Sequence, residues 1–401
     1  MSTVEDTKTT PMMIQWGACK EAAGDALLFF RMGDFYEAFH DDAVTVAREL
    51  EVTLTKRQDI PMAGVPCHTC EGHIDRLVSK GYRVAVAEQT EDPKLTKGLV
   101  KREVVRVVTP GSVINSALLS DQTNNFVASV SRVGAYFGLA FVDITTAEFR
   151  AIEFDSESSL LNEIFRLKPS ELLLSANFRD KQATMLQDLK HSYDFLISEK
   201  EEWIFTHQNA HDFLLEHFKT HSLDGFGMRG MVAGINAAGA LLRYLKDTLS
   251  LPTDHLQELQ TYTTSQYMSL DRQTQRNLEL TESLQDGGKK NTLLAVLNRT
   301  ETPMGARLLR HWIKQPLQDR VEIQQRLDAV EAFFSHGSTQ ERLMQMLGQV
   351  RDLERIMMKV SSGYASPRDL TSLKNSLAPL PTIKTILAQL PSTVLIEQLQ
   401  S

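Results

Sequence analysis

The sequence predicts a multidomain protein in which two α/β domains are followed by an all-α region. The chain has 401 residues, which is more than one ordinary domain needs. Strand-like and helix-like segments alternate at first, whereas from about residue 230 apolar residues recur every three or four positions, as in packed helices. The predicted divisions are a disordered N-terminus (1–9), a mixed α/β domain (10–113), a linker (114–125), a second α/β domain (126–250) and a helical bundle (251–401).

The composition is that of a soluble globular protein, with 42% hydrophobic and 23% charged residues. The N-terminal MSTVEDTKTT lacks the features of a secretory signal, and no apolar run approaches the ~18 residues that span a membrane. Three cysteines fit a reducing cytosol. The net charge of −8 argues against a general nucleic-acid coat, but residues 94–106 carry five Lys or Arg against one Glu. This strip is either a selective contact or a charged strand edge.

The first domain is predicted from alternating short segments. The predicted strands are ALLFFRM, EVTLT, PMAGV, YRVAVAEQ and EVVRVVTPG, and the predicted helices are residues 35–50 and EGHIDRLVSKG. Asp34 and Glu37 have the spacing of a capping box, which predicts that the first helix begins at this point. Phe35 has no role in that interpretation.

The second domain begins with three strands, a helix over residues 157–167 and a further strand, which together resemble the ribonuclease-H-like arrangement. A nuclease of that fold needs several carboxylates around two metal ions. The first strand has no acidic residue, and Asp143 lies at a turn without an evident partner. We therefore interpret this domain as a connector without chemistry; a nuclease that depends on Asp143 is the alternative.

Two other motifs suggest sites that the residues do not complete. Cys67, Cys70 and His73 suggest zinc, but a structural site needs four ligands and only His68 is near. The stretch QDGGKKNT (285–292) resembles a phosphate loop, but Ser283 and Lys290 occupy positions that require other residues. We predict no catalytic residue and no metal site, and we interpret residues 285–292 as a loop between helices.

Several ordered motifs make the chain similar to the bacterial MutS family. In the first domain, which resembles the family's mismatch-binding domain, these are FFRMGDFYEAF, TLTKR, IPMAGVPCH, AVAEQTEDP and KREVVRVVTPGSV. The likeness continues through LAFVDITTAEFR, as in the family's connector, and through the helical segments from MSLDRQTQRNLELTESL to RDLERIMMKVSSGYASPRDL, as in its lever and core. It covers essentially the whole chain.

The resemblance implies a sensor of mismatched duplex DNA, or of small insertion/deletion loops, in DNA repair. Family members add a C-terminal ATPase domain that uses ATP and Mg²⁺ and forms the homodimer, and they work with a MutL-type partner in the bacterial cytoplasm, on the nucleoid. The chain stops at LIEQLQS without a closing element. We therefore expect a fragment or a truncated protein, with no enzyme activity, cofactor or membrane contact of its own and weak DNA binding when alone.

The family's Phe-x-Glu motif falls on Phe35 and Glu37. The resemblance implies that Phe35 stacks on the mispaired base and that Glu37 hydrogen-bonds to it. The remaining candidates for DNA contact are Met32 beside the aromatic ring and four basic residues, Lys56, Arg57, Lys97 and Arg106. The alternative is a helical scaffold protein in which residues 31–39 merely turn a corner.

Overall fold

The structure, a computed structural model, describes residues 10–91, 98–113 and 120–400. The chain forms two compact units. The first contains the described residues through 113 together with 195–197 and 242–252, and the second contains the other described residues. The predicted disordered N-terminus, Lys97 and the first half of the predicted linker (114–119) lie outside the described residues. The domain boundaries stay predictions.

The first unit is built on a six-stranded mixed sheet. Its elements are α1 (Pro11–Ala23), β1 (Leu27–Met32), β2 (Phe35–Phe39), α2 (His40–Leu50), β3 (Thr55–Arg57), β4 (Ile60–Pro66), α3 (Cys70–Ser79), β5 (Val84–Gln89) and β6 (Arg102–Val108). The strand order is β3-β4-β2-β1-β5-β6. Only the β1–β5 pair is parallel, so the predicted mixed α/β class is confirmed.

The predicted helix over residues 35–50 is wrong in its first part. Residues Phe35–Phe39 form β2, and the helix begins at His40. The predicted capping box is therefore also wrong, because Glu37 lies inside a strand that pairs with β1 on one side and β4 on the other. The spacing of apolar residues fits a helix, but hydrogen bonds to two neighbouring strands override it. The predicted strand EVTLT (51–55) is also wrong in position, because β3 occupies Thr55–Arg57 and shares only Thr55 with it.

A second six-stranded sheet follows, in the order β11-β10-β7-β8-β9-β12. The elements of this region are β7 (Val127–Val133), β8 (Tyr136–Asp143), β9 (Glu148–Phe154), α4 (Glu157–Leu167), β10 (Glu171–Ser175), α5 (Ala176–Lys181), α6 (Ala183–Lys190), β11 (Leu196–Lys200), α7 (His207–Phe218), α8 (Val232–Arg243) and β12 (Gln260–Thr261). Strands β7, β8 and β9 are antiparallel, and β10 runs parallel to β7. This is the order and direction expected of a ribonuclease-H-like sheet.

The helical region comprises nine described helices, which are α9 (Arg272–Asn277), α10 (Leu293–Leu297), α11 (Pro303–Lys314), α12 (Arg320–Phe334), α13 (Gly337–Leu347), α14 (Leu353–Ser361), α15 (Pro367–Leu377), α16 (Leu380–Leu387) and α17 (Val394–Gln400). The expectation of nearly continuous helix from about residue 230 is wrong for residues 249–271, which include β12, and for 278–284, which form turns. Residues 285–292, with Gly287 at φ +67°, form the predicted loop between helices. Within the described residues, no helix combines the length and apolarity needed to cross a membrane.

Candidate functional site

The candidate site is built on the first hairpin, formed by β1 and β2 (residues 27–39). A turn of two residues, Gly33 and Asp34, joins the strands, and Met32 pairs with Phe35. Gly33 has φ +60°, which a two-residue hairpin turn of this kind requires at its first position. The turn therefore fixes Phe35 as the first residue of β2, next to the end of the hairpin.

Alternation along β2 separates its aromatic residues. Phe35 and Glu37 project from one face of the sheet, whereas Tyr36 projects from the other. Phe35 is 47% exposed and Tyr36 is 7% exposed. The Tyr36 ring stacks on Phe29 and donates its hydroxyl hydrogen to Glu88, so Tyr36 belongs to the core. Phe35 is left on the surface.

Phe35 and Glu37 lie over the same glycine of the neighbouring strand. Glu37 pairs with Gly64 on β4. A Cβ atom at Gly64 would lie 3.6 Å from Glu37 Cγ and 3.8 Å from Phe35 Cδ1, so both side chains lie over the bare backbone of this residue. The sequence analysis did not single out Gly64. A glycine inside a strand signals a close approach and was the available clue.

The Glu37 carboxylate has an acceptor atom without a donor. Its Oε2 lies 3.6 Å from Arg57 Nη1, but it accepts no hydrogen bond from any described residue. Burial raises the pKa of Glu37, and the Arg57 guanidinium offsets part of that rise. A buried carboxylate oxygen normally accepts hydrogen bonds, so Glu37 can receive a donor from a ligand that covers Phe35.

The other candidates divide between the two faces of the sheet. Met32 pairs directly with Phe35, and Arg57 lies on the same face and approaches Glu37. Lys56 precedes Arg57 in β3 and therefore faces the other way. Arg106 pairs with Val86 on the side of Tyr36 and forms an ion pair with Glu71. Lys97 lies outside the described residues.

The two thiols (Cys67 and Cys70) and two imidazoles (His68 and His73) weighed for zinc do not form a ligand cluster. Among the described residues, no group of three His, Cys, Asp or Glu side chains is arranged to hold a metal ion. Burial raises the pKa of Cys70 to about 12 and also raises that of Cys67.

Asp143, the residue weighed for a nuclease, has its partners within the second sheet. Its side chain is fully buried. It accepts hydrogen bonds from Asn124 Nδ2 at 2.9 Å, Asn125 N at 3.1 Å, and Thr145 N and Oγ1 at 2.9 and 2.6 Å. These contacts are those of a structural carboxylate that fixes the turn after β8.

The segment 285–292, weighed as a phosphate loop, connects helix α9 to helix α10 through turns. Gly288 donates its backbone hydrogen to Asp286 Oδ1 at 2.8 Å, and Thr292 caps the N-terminus of α10. The Gly288 N–H and the Thr292 hydroxyl therefore stabilise the loop and the helix start, as expected of a connection between helices.

Comparison with known proteins gives three family matches. "MutS domain I" matches residues 10–117, "MutS domain II" matches 125–257 and "MutS domain III" matches 273–400. The match to domain I contains the first hairpin with Phe35 and Glu37.

Similar curated proteins carry the name "DNA mismatch repair protein MutS". The protein from Protochlamydia amoebophila is 57% identical over 397 residues, which are 99% of this chain and 46% of that protein. The protein from Chlamydia abortus is 45% identical over 387 residues (96% and 47%), and that from Lachnoclostridium phytofermentans is 42% identical over 391 residues (96% and 42%). The chain spans about half the length of the curated relatives it matches.

Proposed function

We propose, on the premise that this chain belongs to the MutS family of DNA mismatch repair proteins, that its residues 10–113 recognise mismatched duplex DNA. The targets are mispaired bases and small insertion/deletion loops. The observation that carries the proposal is the pairing of an exposed Phe35 with an unpaired acceptor on Glu37, two residues apart on one face of β2.

Phe35 acts as a wedge that enters a base step. Unstacking a step from the minor groove costs roughly a few kcal/mol and kinks the duplex. A mismatch is already weakly paired and more deformable, so the same kink costs less there. The strand pairing with Met32 and the short turn hold Phe35 at the end of the hairpin, so little conformational freedom is lost when the ring inserts.

Glu37 gives the contact its selectivity. As a carboxylate it accepts hydrogen bonds, and mispaired bases offer ring N–H groups that Watson–Crick pairing would occupy. Over a normal duplex the same charge finds no such donor and is repelled by the phosphates. Arg57, 3.6 Å away, partly compensates the charge before DNA arrives.

The remaining contacts are sequence-independent. Met32 packs beside the Phe35 ring on the same face of the sheet. Arg57 reaches a phosphate from β3, and Lys56, Lys97 and Arg106 are the further candidates for phosphate contact. Such contacts position the duplex and contribute salt-dependent affinity. For Arg106 this requires exchange of its ion pair with Glu71.

The matched relatives are about twice as long as this chain. The proposal extends to a whole protein of that length. We infer a homodimer that encloses DNA, an ATPase domain that binds ATP and Mg²⁺ and makes the whole protein a DNA-dependent ATPase, a MutL-type repair partner, and a location on the nucleoid in the bacterial cytoplasm. Residues 10–401 contribute recognition and connection rather than catalysis. A single chain of this length then binds DNA weakly.

Fluorescence anisotropy with labelled G·T heteroduplex and matched homoduplex tests the mismatch site. The 401-residue chain is titrated into the high micromolar range, because non-specific binding has Kd values of roughly 10⁻⁴–10⁻⁶ M. Wild type is expected to bind heteroduplex about tenfold more tightly than homoduplex. This ratio corresponds to roughly 1.4 kcal/mol, which comes from the lower cost of unstacking a mismatched step. Phe35→Ala is expected to bind both duplexes equally, at the wild-type homoduplex affinity.

The matched control is Tyr136→Ala, which removes an aromatic side chain that is 54% exposed at the start of β8. It is expected to retain the wild-type preference. Circular dichroism confirms that both variants are folded. A folded Phe35→Ala variant that still prefers heteroduplex would rule out the wedge, and a wild-type chain without preference would favour the scaffold alternative.

A further inference from the structure

The second unit contains a basic cavity that is separate from the first hairpin. Its volume is about 650 Å³, within the ~300–1,000 Å³ of small-molecule sites. The wall is formed by the start of β9, the C-terminal end of α4 and one side of α11. Seven of the lining residues are Lys or Arg and three are Glu. Positive charge is therefore in excess around the cavity.

Three of these cations are neutralised within the protein. Arg150 forms an ion pair with Glu148, with 3.0 Å between Nε and Oε1. Arg166 donates two hydrogen bonds to Glu163, at 3.0 and 2.6 Å. Arg307 binds both carboxylate oxygens of Asp352, at 2.7 and 2.8 Å, and Glu354 at 2.6 Å. Arg166 and Arg307 have the bidentate geometry of structural ion pairs, so these two and the paired Arg150 are not available to a ligand.

The other cations at the wall share too few carboxylates. Lys168 and Arg310 both rely on Glu282, and the distance from Arg310 Nη2 to Glu282 Oε1 is 3.8 Å. Lys314 donates to the backbone oxygen of Arg166 at 2.6 Å, and no carboxylate oxygen of a described residue lies within 4 Å of its Nζ. Burial and the neighbouring cations lower the pKa of Lys314 well below its ordinary range. A bound anion would reduce the repulsion between Lys314 and the neighbouring cations.

The cavity also has an apolar part. Trp312 and Leu308, on α11, are 36% and 51% exposed, and both line the cavity. The Arg326 guanidinium lies 3.7 Å from the centre of the Trp312 ring, which adds another cation without carboxylate neutralisation on this side. Aromatic and aliphatic surface beside cations suits a ligand with an organic part attached to an anionic group.

We propose that this cavity binds a phosphorylated small molecule of about mononucleotide size. Lys314, Arg310 and Lys168 bind the phosphate, and Trp312 and Leu308 contact the organic part. The excess of positive charge supports binding of the phosphate, and the exposed apolar wall supports binding of the organic part. The proposal does not rest on mismatch recognition, because every residue it uses belongs to the second unit.

Isothermal titration calorimetry of the 401-residue chain tests the site with two probes, inorganic pyrophosphate and AMP, each at an ionic strength matched with sodium chloride. Both are expected to bind saturably, and AMP is expected to bind more tightly because its base and ribose reach the apolar wall. Lys314→Gln is expected to weaken the binding of both probes at least about tenfold, which is the effect of losing a hydrogen bond to a charged group.

Lys190→Gln is the matched control, since Lys190 is an exposed lysine at the end of α6. It is expected to bind both probes like wild type. Lys168→Gln, at the end of α4, gives a second test that leaves the buried wall intact. It is also expected to weaken the binding of both probes. Absence of binding above the sodium chloride background, or equal weakening in the control variant, would overturn the proposal. AMP binding no tighter than pyrophosphate would overturn the role of the apolar wall.

Discussion

The first hairpin and the second hairpin, formed by β7 and β8 (residues 127–143), are built from the same local parts. In each, the turn begins with a glycine at φ +60°, Gly33 or Gly134. The arginine before each turn donates from Nε to the carbonyl oxygen of that glycine. The residue after each turn is an exposed aromatic, Phe35 at 47% and Tyr136 at 54%. Local sequence does not separate the two hairpins.

They differ in what covers the residues after the turn. Each hairpin supplies one member of a glutamate–glycine pair with the next strand: Glu37 of the first hairpin pairs with Gly64 on β4, and Gly138 of the second pairs with Glu153 on β9. In the second hairpin, α8 covers this pair, and Glu153 Oε2 accepts from Gly234 N at 3.0 Å. In the first, Glu37 Oε2 has no donor among the described residues. An open face and an unpaired acceptor, rather than the aromatic residue, distinguish the first hairpin, the proposed binding site, from the packed second hairpin.

The largest difference in stability between the two hairpins is expected when Gly138 and Gly64 are each replaced by alanine. A Cβ at Gly138 would lie 2.0 Å from the backbone oxygen of Ala233, so Gly138→Ala must displace α8, at a cost of about 3 kcal/mol or more. Gly64→Ala places its Cβ at 3.6 Å or more from its neighbours and is expected to cost less than about 1 kcal/mol. Urea denaturation followed by circular dichroism measures both. Equal losses in the free energy of unfolding would show that the first hairpin is as tightly covered as the second.

A smaller difference is expected from the two glutamates. Glu153→Ala removes the acceptor for Gly234 N in the first turn of α8 and is expected to cost about 1.5–3 kcal/mol, as for a hydrogen bond to a charged group. Hydrogen–deuterium exchange of the α8 peptide should accelerate. Glu37→Ala is expected to leave exchange in β1 and β4 unchanged. Unchanged exchange of α8 in the Glu153 variant would contradict the assignment of this contact.

The smallest effect is expected from Glu37→Gln, and it depends on pH. Because burial raises the folded-state pKa of Glu37 above its unfolded value, the carboxylate destabilises the fold at pH values above that folded-state pKa. The glutamine variant should therefore be more stable at pH 7, by less than about 1 kcal/mol. The difference should shrink as pH falls through the folded-state pKa and vanish below about 4.3, the unfolded value.

Urea denaturation at pH 7 and pH 4 measures this difference. Glu341→Gln, which replaces an exposed glutamate on α13, is the control and is expected to show no pH-dependent difference from wild type. A Glu37→Gln variant that is less stable than wild type at pH 7 would show that the Arg57 ion pair outweighs burial.

Elements with strong local signals could be predicted from the sequence. Helix α4 was predicted at residues 157–167 and occupies Glu157–Leu167, because Ser156 caps its N-terminus and its apolar residues follow one helical face. The strands around Gly134 were predicted for a similar reason, since a glycine between two apolar runs marks a hairpin.

Strand β2 was predicted as helix, because the apolar spacing and the Asp34–Glu37 pair fit a helix start as well as a strand. Pairing of Glu37 with Gly64 decides between them, and that contact spans residues distant in sequence. The approach of Arg57 to Glu37 depends on the same tertiary pairing. The motif therefore predicts where the candidate site lies, whereas the approach of Arg57 and the buried, unpaired Oε2 of Glu37 could not be predicted from it.

The most direct test of the wedge is the fluorescence of 2-aminopurine placed next to a G·T mismatch, because this base brightens when it is unstacked. Saturating wild-type chain is expected to raise the fluorescence, and Tyr136→Ala is expected to raise it equally. Phe35→Ala, saturated on the same duplex, is expected to leave it at the level of free DNA. An equal rise with Phe35→Ala would contradict the claim that the open face of the first hairpin inserts Phe35 into mismatched DNA.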